Sequence, residues 1–313
     1  MIDLIIQIIL LIVGFVFLIK GADYFVSGSS SVAALLKIPT IIVGLTIVAI
    51  GTSAPEAAVS ITAAVNGNNA MAVSNIIGSN LFNLLFIIGL CAMLKELDIG
   101  RQMLEKDYPF LIVATVAIVA FILIGWNILR IEGIVLLILF AVYLFYLVYS
   151  AKKSKEGQYV EKPKLTLPKS IVYMIVGLVG IVLGGELVVN NASSIAITFG
   201  MSETLVGLTI VSIGTSLPEV ATSLTALKRK ENELVIGNVI GSNLFNIIFV
   251  LALSATISPI TLQSNILVDL CLMLFITVLT YVFARTQNKF DKKEGILLLV
   301  IFIIYMAFVI MRN

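Results

Sequence analysis

Residues 43–64 read VGLTIVAIGTSAPEAAVSITAA. The run is apolar and long enough to cross a bilayer, which takes about 20 residues. Around its midpoint it also carries Gly51, Thr52, Ser53, Pro55 and Glu56. Proline removes a backbone donor and clashes with the turn before it. Backbone groups opened in this way are tolerated at membrane depth only inside protein or beside a watery cavity. An ionised carboxylate at the bilayer centre costs roughly 2.5–3.5 kcal/mol on insertion scales. The stretch therefore predicts a discontinuous membrane helix with a polar hole at its waist.

The stretch occurs twice. Residues 206–227 read VGLTIVSIGTSLPEVATSLTAL, at a constant offset of 163 that pairs Glu56 with Glu219 and Pro55 with Pro218. Between 43 and 63, 16 of 21 positions are identical, differing only at 49, 54, 57, 59 and 61. A second block repeats at the same offset, with Asn75-Ile-Ile-Gly-Ser-Asn-Leu-Phe-Asn83 matching Asn238-Val-Ile-Gly-Ser-Asn-Leu-Phe-Asn246. Interrupted apolar segments at matching places in two halves point to a transport-type binding site.

Composition fixes the class. Of 313 residues, 60% are hydrophobic and 12% charged, with mean hydropathy +1.13. A soluble domain carries about 25% charged residues, so this is a polytopic membrane protein. A net charge of +2 and the lack of a basic, aromatic-laced surface give no reason to expect a nucleic-acid partner. There is no histidine, which excludes Ser-His-Asp catalysis, His-ligated zinc and HExxH hydrolases. Cys91 and Cys271 lie in apolar segments and are expected to be small buried core residues. The N-terminus lacks a basic leader and a small-residue cleavage site, so residues 3–33 read as a retained first helix.

Ten apolar spans are expected, at about 3–33, 39–66, 70–94, 108–127, 131–150, 169–199, 204–227, 234–258, 264–285 and 293–311. The charged, proline-containing segment 151–168 reads as a solvated linker. It divides the chain into a first repeat, 1–150, and a second, 169–313, of five helices each. With that linker in the cytoplasm, 17 of 20 basic residues fall in cytoplasmic loops. The positive-inside bias then places both termini outside. Five spans is an odd number, so the second repeat enters from the opposite side. The expected fold is all-α: ten transmembrane helices as two inverted repeats, with discontinuous helices at the duplicated motifs.

Inversion would bring the two GTSxPE breaks to one depth, facing each other. The polar atoms near mid-membrane are those of Thr52, Ser53, Glu56, Ser79 and Asn83 and of Thr215, Ser216, Glu219, Ser242 and Asn246. Thr52 with Glu56, and Ser79 with Asn83, are four apart and share a helix face, as do their mates. All are oxygen donors, which suit hard cations such as Ca²⁺ and Na⁺. Two carboxylates neutralise one Ca²⁺. Carbonyls at the proline breaks, those of Ala49 and Ser212, are candidate further ligands.

Other polar residues read more simply. Ser60, Thr62, Ser223 and Thr225 suit helix packing, and Gly44, Gly78, Gly207 and Gly241 suit close helix approach. Asn75 and Asn238 read as structural caps. Asp23 and Glu186 are repeat mates; Asp23, three residues after Lys20, is expected to pair with it. Asp269 reads as local, since its mate is Lys106.

At these motifs the chain resembles the cation/calcium antiporter superfamily, specifically the sodium/calcium exchanger branch. That family carries a GTSxPE-type motif on one helix and a GSxxxN-type motif on the next, twice. Here they stand at Gly51–Glu56 with Gly78–Asn83 and at Gly214–Glu219 with Gly241–Asn246. The proton-coupled calcium branch usually has GNxxE at the first motif. The resemblance implies alternating access at four adjoining cation sites. Glu56 and Glu219 would bind Ca²⁺ with carbonyls of the broken helices. Thr52, Ser53, Ser79, Thr215, Ser216 and Ser242 would complete Na⁺ sites, with Asn83 and Asn246 at the middle position. It further implies about three Na⁺ per Ca²⁺, the long first and sixth helices as sliding gates, function as a monomer in the cell membrane, and no enzymatic activity or cofactor. Some relatives have Asp where this chain has Asn246. Two carboxylates rather than three resemble the potassium-independent type and imply electrogenic exchange. A proton/Ca²⁺ antiporter of the same fold is the principal alternative. A channel fits the paired broken helices less well, and an intramembrane hydrolase lacks a base.

Overall fold

The computed structural model describes residues 2–153, 163–201, 210, 212–261 and 264–312. In the first half, α1 (Ile2–Leu36) leads to α2 (Thr40–Thr52) and α3 (Ala54–Val65), which meet at a 52° bend. Next come α4 (Asn69–Leu94), α5 (Met103–Gly125) and α6 (Arg130–Lys153). The second half holds α7 (Leu167–Thr198), α8 (Ser212–Gly214), α9 (Leu217–Lys228), α10 (Asn232–Ile257), α11 (Ser264–Gln287) and α12 (Lys292–Arg312). Two-residue strands β1 (Leu97–Asp98), β2 (Asn127–Ile128), β3 (Ile260–Thr261) and β4 (Lys289–Phe290) lie in the loops.

Among the described residues eight helices are long and apolar enough to span a membrane, and the bent pair α2–α3 makes a ninth. The expected span 204–227 lies partly outside the described residues, as does half of the 151–168 linker. The fourth span begins at Met103 rather than near 108. The extra turn is held from within: Asp107 is fully buried, its Oδ1 accepting from the Tyr143 hydroxyl (3.1 Å) and its Oδ2 from Gln102 Nε2 (3.4 Å). Buried polar groups persist where such partners exist.

Glycine sets the helix packing. α1 has 35 residues and is about 50 Å long. Its Gly14, Gly21 and Gly28 recur every seven residues, forming one stripe. A Cβ on Gly21 would stand 2.8 Å from the Gly177 carbonyl oxygen, one on Gly14 3.0 Å from that of Gly184, and one on Gly28 2.7 Å from that of Ser170. Partner numbers fall as α1 numbers rise, so α1 and α7 run antiparallel, backbone against backbone. The same device joins α2 to α10. A Cβ on Gly237 would meet the Ile41 carbonyl oxygen at 2.7 Å, and one on Gly241 the Leu45 Cα at 2.7 Å. A Cβ on Gly44 would stand 3.0 Å from the Gly237 Cα, the close approach its sequence predicts, while Gly207 lies outside the described residues.

α10 is the central column, 94% buried along its most apolar window, and α4 is next at 78%. The loops tie the halves together: β1 pairs antiparallel with β4, and β2 with β3. Glu96 and Lys289 add an ion pair of 2.7 Å beside the first ribbon. Helix-ending turns repeat too. Gly67 (φ 75°) and Lys230 (φ 65°) are mates at offset 163, as are Lys37 (φ 55°) and Gly200 (φ 92°).

Two expectations fail. Asp23 pairs with Arg229 at the end of α9 (2.6 Å), not with Lys20, because the docking of α1 beside α9 offers a guanidinium that takes the carboxylate oxygen through two N–H groups. Cys91 is buried, but Cys271 is exposed on the outer face of α11; an apolar segment in a membrane protein has no need to face inward.

Glycine contact and turn conformation predict opposite outcomes. Gly177→Leu forces a side chain into the backbone of α1, where even a Cβ would sit 2.5 Å from Phe25 N, and should destabilise by about 1–3 kcal/mol. Lys37→Gly relieves a left-handed residue and should stabilise by about 1 kcal/mol. Unfolding in detergent measures both; a neutral Gly177→Leu would refute the close approach of α1 and α7.

Candidate functional site

The site forms where the two broken helices meet α4 and α10. Pro55 and Pro218 sit in the first turns of α3 and α9, where a missing N–H costs nothing because those amides lack helical acceptors. Each break therefore falls one residue before its helix, at Ser53 (φ −84°, ψ 9°) and at Ser216 (φ −89°, ψ 4°). Glu56 and Glu219 follow in the first turns. There the positive end of the helix dipole favours a negative charge.

Both carboxyls are only 1% exposed, and each is gripped by the other repeat. Ser53 Oγ donates to Glu219 Oε1 (2.8 Å), and Ser216 Oγ donates to Glu56 Oε1 (3.0 Å). These crossed bonds bring Ser53, Glu56, Ser216 and Glu219 together. Thr52 is buried, and its Oγ1 donates to Asn238 Oδ1 (3.1 Å). Asn238 Nδ2 in turn reaches Ser223 Oγ (3.0 Å), as Asn75 Nδ2 reaches its mate Ser60 Oγ (2.9 Å). Asn75 and Asn238 thus brace α4 to α3 and α10 to α9. Thr215 stands half-buried in the turn between α8 and α9. The Ala49 carbonyl accepts from the Ser53 amide (3.0 Å) and, at greater length, from Thr52 Oγ1 (3.4 Å). Ser212 opens α8, and its side chain lies outside the described residues.

The GSNLFN blocks cross the symmetry axis. Asn83 Nδ2 donates to Asn243 Oδ1 (3.0 Å), and Asn246 Nδ2 to Asn80 Oδ1 (3.2 Å). Asn83 and Asn246 each open a π turn, Asn83–Ile87 and Asn246–Leu251. Such turns are common at functional sites because they re-aim side chains. Asn80 and Asn243 escaped the sequence reading. The signal was present: each is identical between copies and stands three residues before a candidate Asn, hence on a neighbouring face.

Six buried oxygens from these motifs have no hydrogen-bond partner among the described residues: Glu56 Oε2, Glu219 Oε2, Ser79 Oγ, Ser242 Oγ, Asn83 Oδ1 and Asn246 Oδ1. They are three repeat-related pairs. Burying such atoms unpartnered costs about 1–3 kcal/mol each, more for a charge. Among the described residues the ion pairs join Arg101 to Glu105, Arg229 to Asp23 and Lys289 to Glu96. None of them compensates Glu56 or Glu219. Nor do the described residues hold a cluster of three or more His, Cys, Asp or Glu. The donor set is carboxylate, hydroxyl and amide oxygen, which is chemistry for a hard cation.

Removing either crossed serine should cost the same. Ser53→Ala or Ser216→Ala leaves a buried carboxylate oxygen without its donor and should destabilise by about 1.5–3 kcal/mol. Unfolding without added cations tests this, and a large loss in only one variant would break the symmetry of the site.

Known proteins resemble this chain in sequence and fold. Residues 6–149 and 169–311 match the family model described as sodium/calcium exchanger protein. The chain is 42% identical over 258 residues to a protein of Alkalimonas amylolytica named as an antiporter, CaxA, covering 80% of this chain and 81% of that one. It is 27% identical to the sodium/calcium exchanger MaX1 of Methanosarcina acetivorans, over 96% of this chain and 97% of that one. A solved structure of the sodium-calcium exchanger NCX_Mj superposes with a TM-score of 0.87 at 31% identity, covering 97% of this chain and 99% of that one. With both halves matched by the family model and the fold shared over nearly its whole length, the chain belongs to the sodium/calcium exchanger protein family.

Proposed function

We propose that the protein is a secondary active antiporter, exchanging Na⁺ for Ca²⁺ by alternating access at the crossed-serine site. One observation carries this: among the described residues, six buried oxygens from both repeats, two of them on carboxylates, have no hydrogen-bond partner, and no ion pair reaches the carboxylates. A cation cargo supplies what they lack. Glu56 and Glu219 hold Ca²⁺, with the carbonyls of Ala49 and Ser212 completing its shell. Thr52, Ser53, Ser79, Thr215, Ser216 and Ser242 share those carboxylates with Na⁺, and Asn83 and Asn246 line the middle position. Nothing in this donor set is arranged for bond-making catalysis, and the protein acts as a transporter rather than an enzyme, without a cofactor and as a monomer.

The architecture we infer is ten spans in two inverted repeats, 1–150 and 169–313, joined by a cytoplasmic linker with both termini outside. Strand pairing supports inversion. β1 and β3 are repeat mates at offset 163, yet β1 pairs with β4 and β3 with β2. β1 and β2 flank α5, a 23-residue span, so they lie at opposite ends of it. The mates β1 and β3 therefore stand on opposite sides. Seventeen of 20 basic residues on one side support the orientation in a cell membrane.

⁴⁵Ca²⁺ uptake into proteoliposomes preloaded with Na⁺, against Na⁺-free and pH-jump controls, tests the exchange. Uptake is expected only with the outward Na⁺ gradient; uptake driven by pH alone would move the coupling ion to H⁺. Glu56→Gln and Glu219→Gln should each abolish Ca²⁺ binding, since one remaining carboxylate leaves the ion half-compensated. Retained binding in both would sink the assignment.

Charge counting gives a second outcome. Two carboxylates neutralise one Ca²⁺ but leave one net charge when three Na⁺ bind. Exchange should then respond to voltage by roughly 2.3 kcal/mol per 100 mV for each charge moved. Na⁺-driven Ca²⁺ flux without net current in a sealed membrane would rule this stoichiometry out.

A further inference from the structure

We propose that Asn80 and Asn243 are positioning residues that lock the Asn83 and Asn246 amides oxygen-inward, so the cation meets no N–H. The inference rests on the exchange reading above. A carboxamide is nearly symmetric in shape but not in chemistry: one end accepts, the other only donates. Turned by a half-rotation, a ligating Asn would present two N–H donors to a cation. A cation site built with two Asn residues, unlike one built with carboxylates, therefore has to specify their orientation.

The specification starts from atoms that cannot change role. Backbone carbonyls only accept. Asn243 Nδ2 donates to the Asn80 carbonyl (3.3 Å), and Asn80 Nδ2 points to the Asn243 carbonyl (3.5 Å) and to Met273 Sδ (3.7 Å). This turns the Oδ1 atoms of Asn80 and Asn243 away from the backbone and toward the next pair. Asn243 Oδ1 then takes Asn83 Nδ2 (3.0 Å), and Asn80 Oδ1 takes Asn246 Nδ2 (3.2 Å). A flipped Asn83 would set its oxygen against Asn243 Oδ1 at about that same 3.0 Å, two acceptors in contact. All four amides are 1% exposed, so water cannot relieve the clash. What remains is Oδ1 of Asn83 and of Asn246, both buried and free of donors. The ring spans α4 and α10, the two most buried helices, and each repeat orients the ligand of the other.

The lock predicts a dependence that packing alone does not. A carboxylate has oxygen at both ends and needs no orientation. Ca²⁺ binding is titrated calorimetrically to purified wild type, Asn80→Ala, Asn246→Asp and the double variant. Asn80→Ala should weaken binding about tenfold or more in the Asn246 background. In the Asn246→Asp background, whatever its own affinity, the same substitution should change binding less than about threefold. Equal losses in both backgrounds would make Asn80 a packing residue and overturn the lock, as would no loss in either. Thermal unfolding of each variant checks folding; if Asn80→Ala fails to fold, Asn243→Ala with and without Asn83→Asp gives the mirror test. A wild type that binds Na⁺ but not Ca²⁺ sinks the exchange reading alone, and the same four proteins titrated with Na⁺ still decide the lock. A wild type that binds neither ion overturns both.

Discussion

Two carboxylates buried near each other in a membrane protein, with no cation beside them among the described residues, are the constraint on which the rest of this structure depends. Glu56 and Glu219 each spend one oxygen on a serine of the opposite repeat and leave the other without a donor. In a low-dielectric interior such charge is costly unless paired. Among the described residues no cation pairs it; one serine hydroxyl donates to each carboxylate, and the oxygens around them supply no positive charge. That is a poor way to build a stable core and a good way to make occupancy by a cation stabilise the fold. A cation that binds the folded state alone would stabilise it by mass action.

Bringing the carboxylates together requires backbones to approach more closely than side chains allow. The glycine contacts of α2 with α10 place the first broken helix against the central column, and the α1–α7 stripe packs two long helices into one unit. The cross-repeat ribbons at the loops tie the remaining helices into a second unit. Without a hydrophobic drive between helices in lipid, small residues are what permit such association.

The two halves correspond in backbone conformation even where residue identity differs. Lys37 adopts the left-handed conformation that its mate Gly200 takes freely, as Lys230 does for Gly67. Asp23 and Arg229, by contrast, form a pair with no counterpart, since the mate of Arg229 is Asn66. The halves match at the oxygens of the site and diverge toward the helix ends.

The sequence by itself determined the membrane class, the duplication, the broken helices and the oxygen chemistry. Each of these is carried by local composition or by an offset between copies. Pro55 and Pro218 announce a break because the missing N–H is a local fact, and Glu56 and Glu219 announce a site because charge in an apolar run is conspicuous. The tertiary structure alone decided who holds whom. Ser53 grips Glu219 rather than a neighbour on its own helix, Asp23 reaches Arg229 past Lys20, and Asn80 and Asn243 stand behind the amides they orient. These partners lie 160 or more residues apart. Hydrogen bonds at that separation depend on how α4 and α10 pack and where each helix turns, which no window of sequence contains.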